Sequence, residues 1–358
     1  MVLRSRGGVV PDVRKMAVLR ANGLGDFVFA IPALTALRAA YPAAEIVYLG
    51  AQWHPSLLDG RPGPVDRVVV VPPAHGVTEP GAYQDDPAVL EPFFAEMAAE
   101  EFDLALQMHG GGQNSNPFLL RLGARVTAGL KAPTAPPLDR WVPYNYFQHE
   151  VLRYLEVVAL VGATEADLEP RLAVTPDDLA AAREFCPETP RPLAVLHPGA
   201  GDTGRRWPPA KFAAVGDALA AAGARVAVIG TAPEGGLAAA VCGTMRHPAQ
   251  NLCGRLTMSA LVGLLARAAV VVSNDSGPLH LAGACGAATV GIYWAYNLVT
   301  AGPLTTAHHR SVTSWQLTCP ICGADRATGR CPHQPSFVAD VPVAEVTAAA
   351  LDLLAMGR

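Results

Sequence analysis

The sequence predicts an α/β protein of two lobes, each a doubly wound and largely parallel sheet. Three observations carry this reading. At 358 residues the chain exceeds one ordinary core and suits two domains of roughly 100 to 200 residues each. Short apolar runs alternate with stretches of helical periodicity, the rhythm of strands joined by crossover helices. That rhythm begins twice, from Met16 and again after Thr175. With 51% apolar and 16% charged residues, the chain has material for large cores and lacks the signature of disorder.

The first lobe is expected over 1–170. Strand "MAVLR" (16–20) leads into the glycine-rich turn "ANGLGD" (21–26), and apolar residues at helical spacing follow in "FVFAIPALTALRAAYP". Strands at 45–50, 67–71, 103–108 and 125–128 alternate with helices such as 88–100. The proline-rich stretch 131–143 interrupts the pattern, and "FQHEVLRYLEVVALVG" resumes it as a helix. The second lobe is expected over 171–342. It opens on "TPDDLAAAREF", where Thr175 makes a good N-cap and Pro176 a good first turn. A first strand and its loop come next in "PLAVLHPGAG" (192–201), then strands at 225–229, 269–273 and 288–293, with helices at 209–222, through 245, at 259–268 and after 276. A final helix within 343–358 is read as packing back on the first lobe.

Net charge is 27 − 31 = −4, and the arginines are scattered. No basic stripe offers itself to a phosphate backbone, which argues against nucleic acid as a partner. The beginning of the sequence lacks the apolar stretch of a signal peptide, and no segment approaches the ~20 apolar residues of a membrane span. The expected setting is therefore the cytoplasm, or the inner face of the membrane by peripheral association, for a monomeric protein. Of seven cysteines, Cys186, Cys242, Cys253 and Cys285 stand singly, as reduced core thiols do. Only Cys319, Cys322 and Cys331 group together, and with His333 in "CPICGADRATGRCPH" they offer four soft ligands for a structural zinc ion. Reduced thiols or a redox pair are the alternative.

In open α/β sheets, ligands bind beyond the carboxyl ends of the strands, so the loops there are the informative ones. In "NDSGPLH", Pro278 suits a first helical turn and Gly277 admits close approach of a ligand to the backbone, which together with Asp275, Ser276 and His280 points to an anion. The stretch "HPGAGDTGRRWPPAKF" adds a flexible loop with Gly199, Gly201 and Arg205, suited to clamping a phosphate, although Trp207 also reads as core. "RANGLGD" starts like a dinucleotide loop, but after Gly23 and Gly25 comes Asp26, which would repel a pyrophosphate. Asp26 is read as a proton acceptor, with helix capping as a compatible second role.

These loops resemble glycosyltransferase family 9, the ADP-heptose:lipopolysaccharide heptosyltransferase family. The stretches that carry the likeness are "VLRANGLGDFVFAIPALTALRAAYPAAEIVYLG", "DLALQMHGGGQNSNPFLLRLGARVTAGL", "LAVLHPGAGDTGRRWPPAKFAAVGDAL" and "NDSGPLHLAGACGAATVGIYWA". The resemblance implies the GT-B fold, with two Rossmann-like domains facing a central cleft, and inversion at the anomeric carbon without a catalytic metal or cofactor. It implies an ADP-sugar donor, a heptose by family, held mainly by the C-terminal lobe, and a glycan, glycolipid or small-molecule acceptor held by the N-terminal lobe. Asp26 matches the family's general base, with Gly25, His109 and Asn114 on the acceptor side. Asp275, Ser276, Gly277 and His280 match the donor site, and Gly230, Thr231 and Glu234 fall where the family holds nucleoside. Arg205 stands where the family commonly has Lys and would steady the leaving phosphate, with altered reach. Two other classes fit the same architecture: a nucleotide-sugar epimerase, which needs no acceptor, and a non-catalytic nucleotide-sugar-binding protein.

Overall fold

The computed structural model describes residues 7–79, 82–164, 167–325 and 332–356. The chain divides between Ala173 and Val174 into two compact units. The first contains β1 (Lys15–Leu19), α1 (Leu24–Ala40), β2 (Glu45–Gly50), α2 (Pro55–Leu58), β3 (Arg67–Val70), α3 (Pro87–Ala99), β4 (Leu104–Gln107), α4 (Ser115–Leu120), β5 (Val126–Lys131), β6 (Arg140–Pro143) and α5 (Glu150–Ala159). Its six strands are all parallel, in the order β3-β2-β1-β4-β5-β6. Such a sheet is covered on both faces, so its central strands read as continuous apolar runs: Met16 to Leu19 and Ile46 to Leu49 are all fully buried. Phe93, Phe94, Met97 and Phe118 close one face, and α1 packs with α5.

The second unit contains α6 (Pro176–Phe185), β7 (Leu193–His197), α7 (Pro209–Ala221), β8 (Arg225–Val228), α8 (Gly235–Thr244), β9 (Ala249–Asn251), α9 (Met258–Ala266), β10 (Ala268–Asn274), α10 (Gly277–Ala284), β11 (Thr289–Trp294), α11 (Ala295–Ala301), β12 (His309–Ser314) and α12 (Val343–Met356). Its strands are likewise parallel, in the order β12-β11-β10-β7-β8-β9. Thr175 caps α6 through its side chain, as the sequence predicts, and Asp178 bonds back to complete a capping box. Helices α6 and α9 lie so close that a Cβ at Gly263 would stand 1.9 Å from the Asp178 carbonyl oxygen.

The final helix, α12, has its own place within the second unit. Val346, Ala350, Leu353 and Leu354 of α12 join the core of the second unit, against α7 and β10 to β12. Their partners include Trp207, which is fully buried and donates its indole N–H to the Val341 carbonyl at 3.1 Å. The tryptophan of the "GRRW" loop is thus core, and only the arginines before it face outward.

Each sheet has a point where strand order reverses: between β1 and β4 in the first unit, and between β7 and β10 in the second. Loops leaving neighbouring strands there diverge to opposite faces and open a crevice, which is where such sheets bind ligands. The three loops singled out in the sequence all leave strands at or beside these points.

Candidate active site

In the second unit the crevice lies beyond β7, β10 and β8. The side chain of Asn274, fully buried at the end of β10, fastens the neighbouring loop. Its amide donates to the carbonyls of Pro198 (2.8 Å) and Gly199 (3.3 Å), and its oxygen accepts the Trp207 N–H (3.0 Å). The loop after β7 is therefore pinned at both ends to β10, and this sets Arg205 beside Asp275, Nη1 to Oδ2 at 2.9 Å. Asp275 is 2% exposed and its other oxygen meets His280 Nε2 at 3.0 Å. Burial alone pushes this carboxyl up, but the His280 hydrogen bond and the charges of His280 and Arg205 outweigh it and hold Asp275 below the usual carboxylate range. Arg205 spends one donor on Asp275, and its side chain, a quarter exposed, keeps the rest of its fork of N–H groups for a ligand.

Ser276 caps the entry to α10 in extended backbone, and its hydroxyl meets His197 Nδ1 at 3.0 Å. The other nitrogen of His197 lies 3.6 Å from Glu234, whose carboxylate accepts from the Thr231 N–H (2.8 Å) and hydroxyl (2.9 Å). The His197 contact comes first among the causes that bring the Glu234 carboxyl down to about 2, against a smaller upward push from burial. Gly199 leaves no room for a side chain, and Gly230 leaves little. A Cβ at Gly199 would stand 1.9 Å from one Glu234 oxygen, and one at Gly230 would stand 3.2 Å from the other. Gly201, Arg205, Gly277 and His280 complete the group, so the structure brings the whole predicted donor set to one crevice. Because the folded-state pKa of Glu234 is depressed, its stabilisation is complete above the unfolded value near 4.5 and is lost as pH falls towards 2. Glu234→Gln should therefore lower the melting temperature at pH 6 and above, and the gap to wild type should narrow from pH 5 downward and close only near pH 2. A gap constant over that range would show that the carboxylate charge contributes nothing.

In the first unit, Asp26 lies in the first turn of α1, which starts at Leu24, three residues earlier than the glycine-rich turn implies. Gly23 is the N-cap, and Asp26 Oδ2 accepts its N–H at 3.1 Å. The other carboxylate oxygen of Asp26 accepts from Arg20 Nη2 at 2.6 Å. Gly25 shares the same turn. Arg20 is buried at the end of β1, lies 5.2 Å from the centre of the Tyr154 ring, and reaches Glu150 at 3.4 Å. Glu150 also accepts from Arg153 and from the Tyr154 hydroxyl. Burial pushes the Glu150 carboxyl up, Arg20 and Arg153 pull it back, Asp26 adds to the rise, and the balance lies above the usual range.

A cavity of about 320 Å³ opens beside this network, lined by Arg20, Asn22, His109, Asn114, Glu150 and Arg153 among others. Buried polar atoms in these residues lack a protein hydrogen-bond partner: Arg20 Nε, Arg153 Nε, Asn22 Oδ1 and His109 Nδ1. Donors and an acceptor so disposed suit a polyhydroxylated ligand. His109, which the sequence offers as an acceptor-side group, is 8% exposed, and burial, with Arg20 nearby, drives its pKa down to about 3. It is a neutral hydrogen-bonding group here and too weak a base to take a proton efficiently at neutral pH. Asn114, at the N-cap position of α4, packs under Gly76, where a Cβ would fall 1.9 Å from its amide nitrogen.

Sequence reading missed Arg20, Glu150, Arg153 and Tyr154 in this unit, and His197 and Asn274 in the other. A signal was available for the α5 group. Glu150, Arg153 and Tyr154 stand at i, i+3 and i+4, the spacing that places three side chains on one helix face.

Of the cysteine group, Cys319, Cys322 and His333 come together, with their ligand atoms all within 4.8 Å of one another. Cys331 lies outside the described residues.

Residues 92–323 match glycosyltransferase family 9 (heptosyltransferase). Lipooligosaccharide heptosyltransferase 2 of Haemophilus influenzae is 25% identical over 330 residues, covering 87% of this chain and 86% of that protein. The fold matches the structure of E. coli ADP-heptose LPS heptosyltransferase II with a TM-score of 0.74 at 18% identity, over 96% of this chain and 99% of the other. It matches E. coli heptosyltransferase WaaC with ADP at 0.66 and 20% identity, over 84% and 93% of the two chains. The two doubly wound units are those of the GT-B fold, and the chain belongs to glycosyltransferase family 9, the heptosyltransferases.

Proposed function

We propose that this glycosyltransferase transfers a heptose from an ADP-activated donor to a hydroxyl of a glycan or glycolipid acceptor, with inversion at the anomeric carbon. The observation that carries the reading is the Arg205–Asp275–His280 assembly at the strand-order reversal of the second unit. It pairs a partly exposed guanidinium with the mouth of α10, the equipment a departing nucleoside diphosphate requires. A matching structure named as an ADP-heptose LPS heptosyltransferase and another with ADP support the donor.

In this scheme the acceptor hydroxyl gives its proton to the Asp26 carboxylate as its oxygen forms a bond to the anomeric carbon. The bond from that carbon to the ADP oxygen breaks on the opposite side, and Arg205 offsets the charge that develops on the diphosphate. None of these steps calls for a metal or a cofactor. In the same scheme Thr231, Glu234 and Gly230 hold the nucleoside, and the polar cavity beside Arg20 takes an acceptor sugar. Among the described residues no helix is long and apolar enough to cross a membrane, and a lipid-borne acceptor would be met from the membrane surface.

The test is calorimetric titration with ADP, UDP and GDP. ADP should bind most tightly, and Arg205→Ala should weaken it roughly tenfold or more, as expected for loss of a charged hydrogen bond worth about 1.5 kcal/mol or above. Equal affinity for the three diphosphates would refute the donor assignment. Inversion of a free donor without transfer would instead favour the epimerase reading.

A further inference from the structure

The segment between β12 and α12 carries chemistry that sugar transfer does not use. "CPICG" at 319–323 folds into a tight turn in which the Gly323 N–H donates to the Cys319 carbonyl at 2.8 Å and the Cys319 N–H donates to the Ala324 carbonyl at 2.8 Å. Gly323 has φ +72°, a conformation glycine adopts without strain, so the turn doubles back directly after the second cysteine. His333 arrives from further along the chain, its Nδ1 3.8 Å from Cys319 Sγ. A tetrahedral ion with bonds of about 2.3 Å to sulfur and about 2.0 Å to nitrogen needs ligand atoms roughly 3.5 to 3.8 Å apart. Cys319 is buried, His333 partly so and Cys322 exposed.

Beyond His333 the chain is tied to the donor crevice. Ser336 donates its hydroxyl to the Arg206 carbonyl (2.7 Å), and the Phe337 N–H donates to the Gly204 carbonyl (2.7 Å). The Phe337 ring stacks on Trp294 at 5.1 Å and lies so near Gly204 that a Cβ there would meet it at 2.6 Å. Upstream, the Trp294 indole donates to the Gln316 carbonyl at 2.9 Å. Both ends of the segment are thus fastened, one of them to the Thr203–Arg205 turn that presents Arg205.

We propose that Cys319, Cys322 and His333 bind a divalent transition-metal ion of the zinc type, and that this ion clamps the segment whose Ser336 and Phe337 hold the Arg205 turn. The ion is structural. Two thiolates and an imidazole favour zinc over magnesium or calcium, which take oxygen ligands. Its link to nucleotide affinity rests on the donor site proposed above; its existence does not.

The test uses the full chain, purified without a histidine tag under reducing conditions. Elemental analysis should find about one zinc per chain, and Cys322→Ser, a change at an exposed position, should lose it. Cobalt(II) added to chelator-treated protein should give tetrahedral thiolate-type absorption. Removing the ion should lower the melting temperature by several degrees and weaken ADP binding roughly tenfold, the range typical for groups that act by positioning others, and zinc should restore both. The site is overturned if the reduced protein neither carries zinc nor takes up zinc or cobalt, or if the cysteines prove to form a disulfide. Zinc bound but ADP affinity unchanged on its removal overturns the clamp. If Arg205→Ala also leaves ADP affinity unchanged, the donor site is what fails, and the zinc content stands apart from it.

Discussion

Asp26→Asn is expected to leave the fold intact and lower turnover by ~10² to 10⁴, equivalent to roughly 3 to 5 kcal/mol of transition-state stabilisation. Asn matches Asp in size, and its one oxygen can keep either the Arg20 contact or the Gly23 N–H contact that the carboxylate now makes together. Losing one of the two should cost about 1 kcal/mol of stability, as for a helix cap. Arg20 keeps Glu150 and the Tyr154 ring, so no buried cation is abandoned. ADP affinity should barely change, because the residues assigned to the nucleotide all belong to the second unit. Turnover, melting temperature and ADP binding measured on the one variant separate the roles. Turnover within about threefold of wild type, worth well under 1 kcal/mol, would reduce Asp26 to a helix-start residue. His109 would not inherit the task, since its pKa of about 3 keeps it a poor base. Glu150, the carboxylate that lines the cavity, would be the next to replace.

Asp275→Ala should weaken ADP binding by one to two orders of magnitude, roughly 1.5 to 3 kcal/mol, the scale of a lost charged hydrogen bond. It should also destabilise the second unit. Asp275 is buried and joins Arg205 to His280, so its removal releases both groups from the crevice. Breaking a buried pair costs about 3 to 5 kcal/mol when it strands a charge, and the partial exposure of Arg205 places this variant at or below the lower end. Freeing Arg205 also frees a donor for phosphate, so the sign of the affinity change is itself informative. Weaker binding means that placement of the guanidinium outweighs its availability, whereas tighter binding would make Asp275 a restraint on Arg205 and refute its role in holding the donor. Melting curves with and without ADP, compared with the same pair for Asp275→Asn, distinguish lost fold from lost affinity.

The sequence by itself determined the two parallel sheets, because strands buried on both faces need unbroken apolar runs and the helices between them need a 3.6-residue period. It also marked Asp26, Arg205, the glycines and the Asp275–His280 stretch, since loops rich in glycine, charge and proline at strand ends have few structural excuses. The edge strands β6, β9 and β12 escaped it. Half-covered, and in β6 and β9 also short, they carry Arg, Gln, Asn, Ser and proline where central strands carry Val and Leu. Which sheet covers α12 was likewise invisible, because an apolar helix face does not name its partner. Only the tertiary structure decided that strand order reverses beside β1 and beside β7, and so which loops converge. It also decided that Arg20 meets Glu150 from 130 positions away and Arg205 meets Asp275 from 70. Periodicity is a local property of the chain, whereas a charge pair across a crevice exists only once the sheet has set its strands in order.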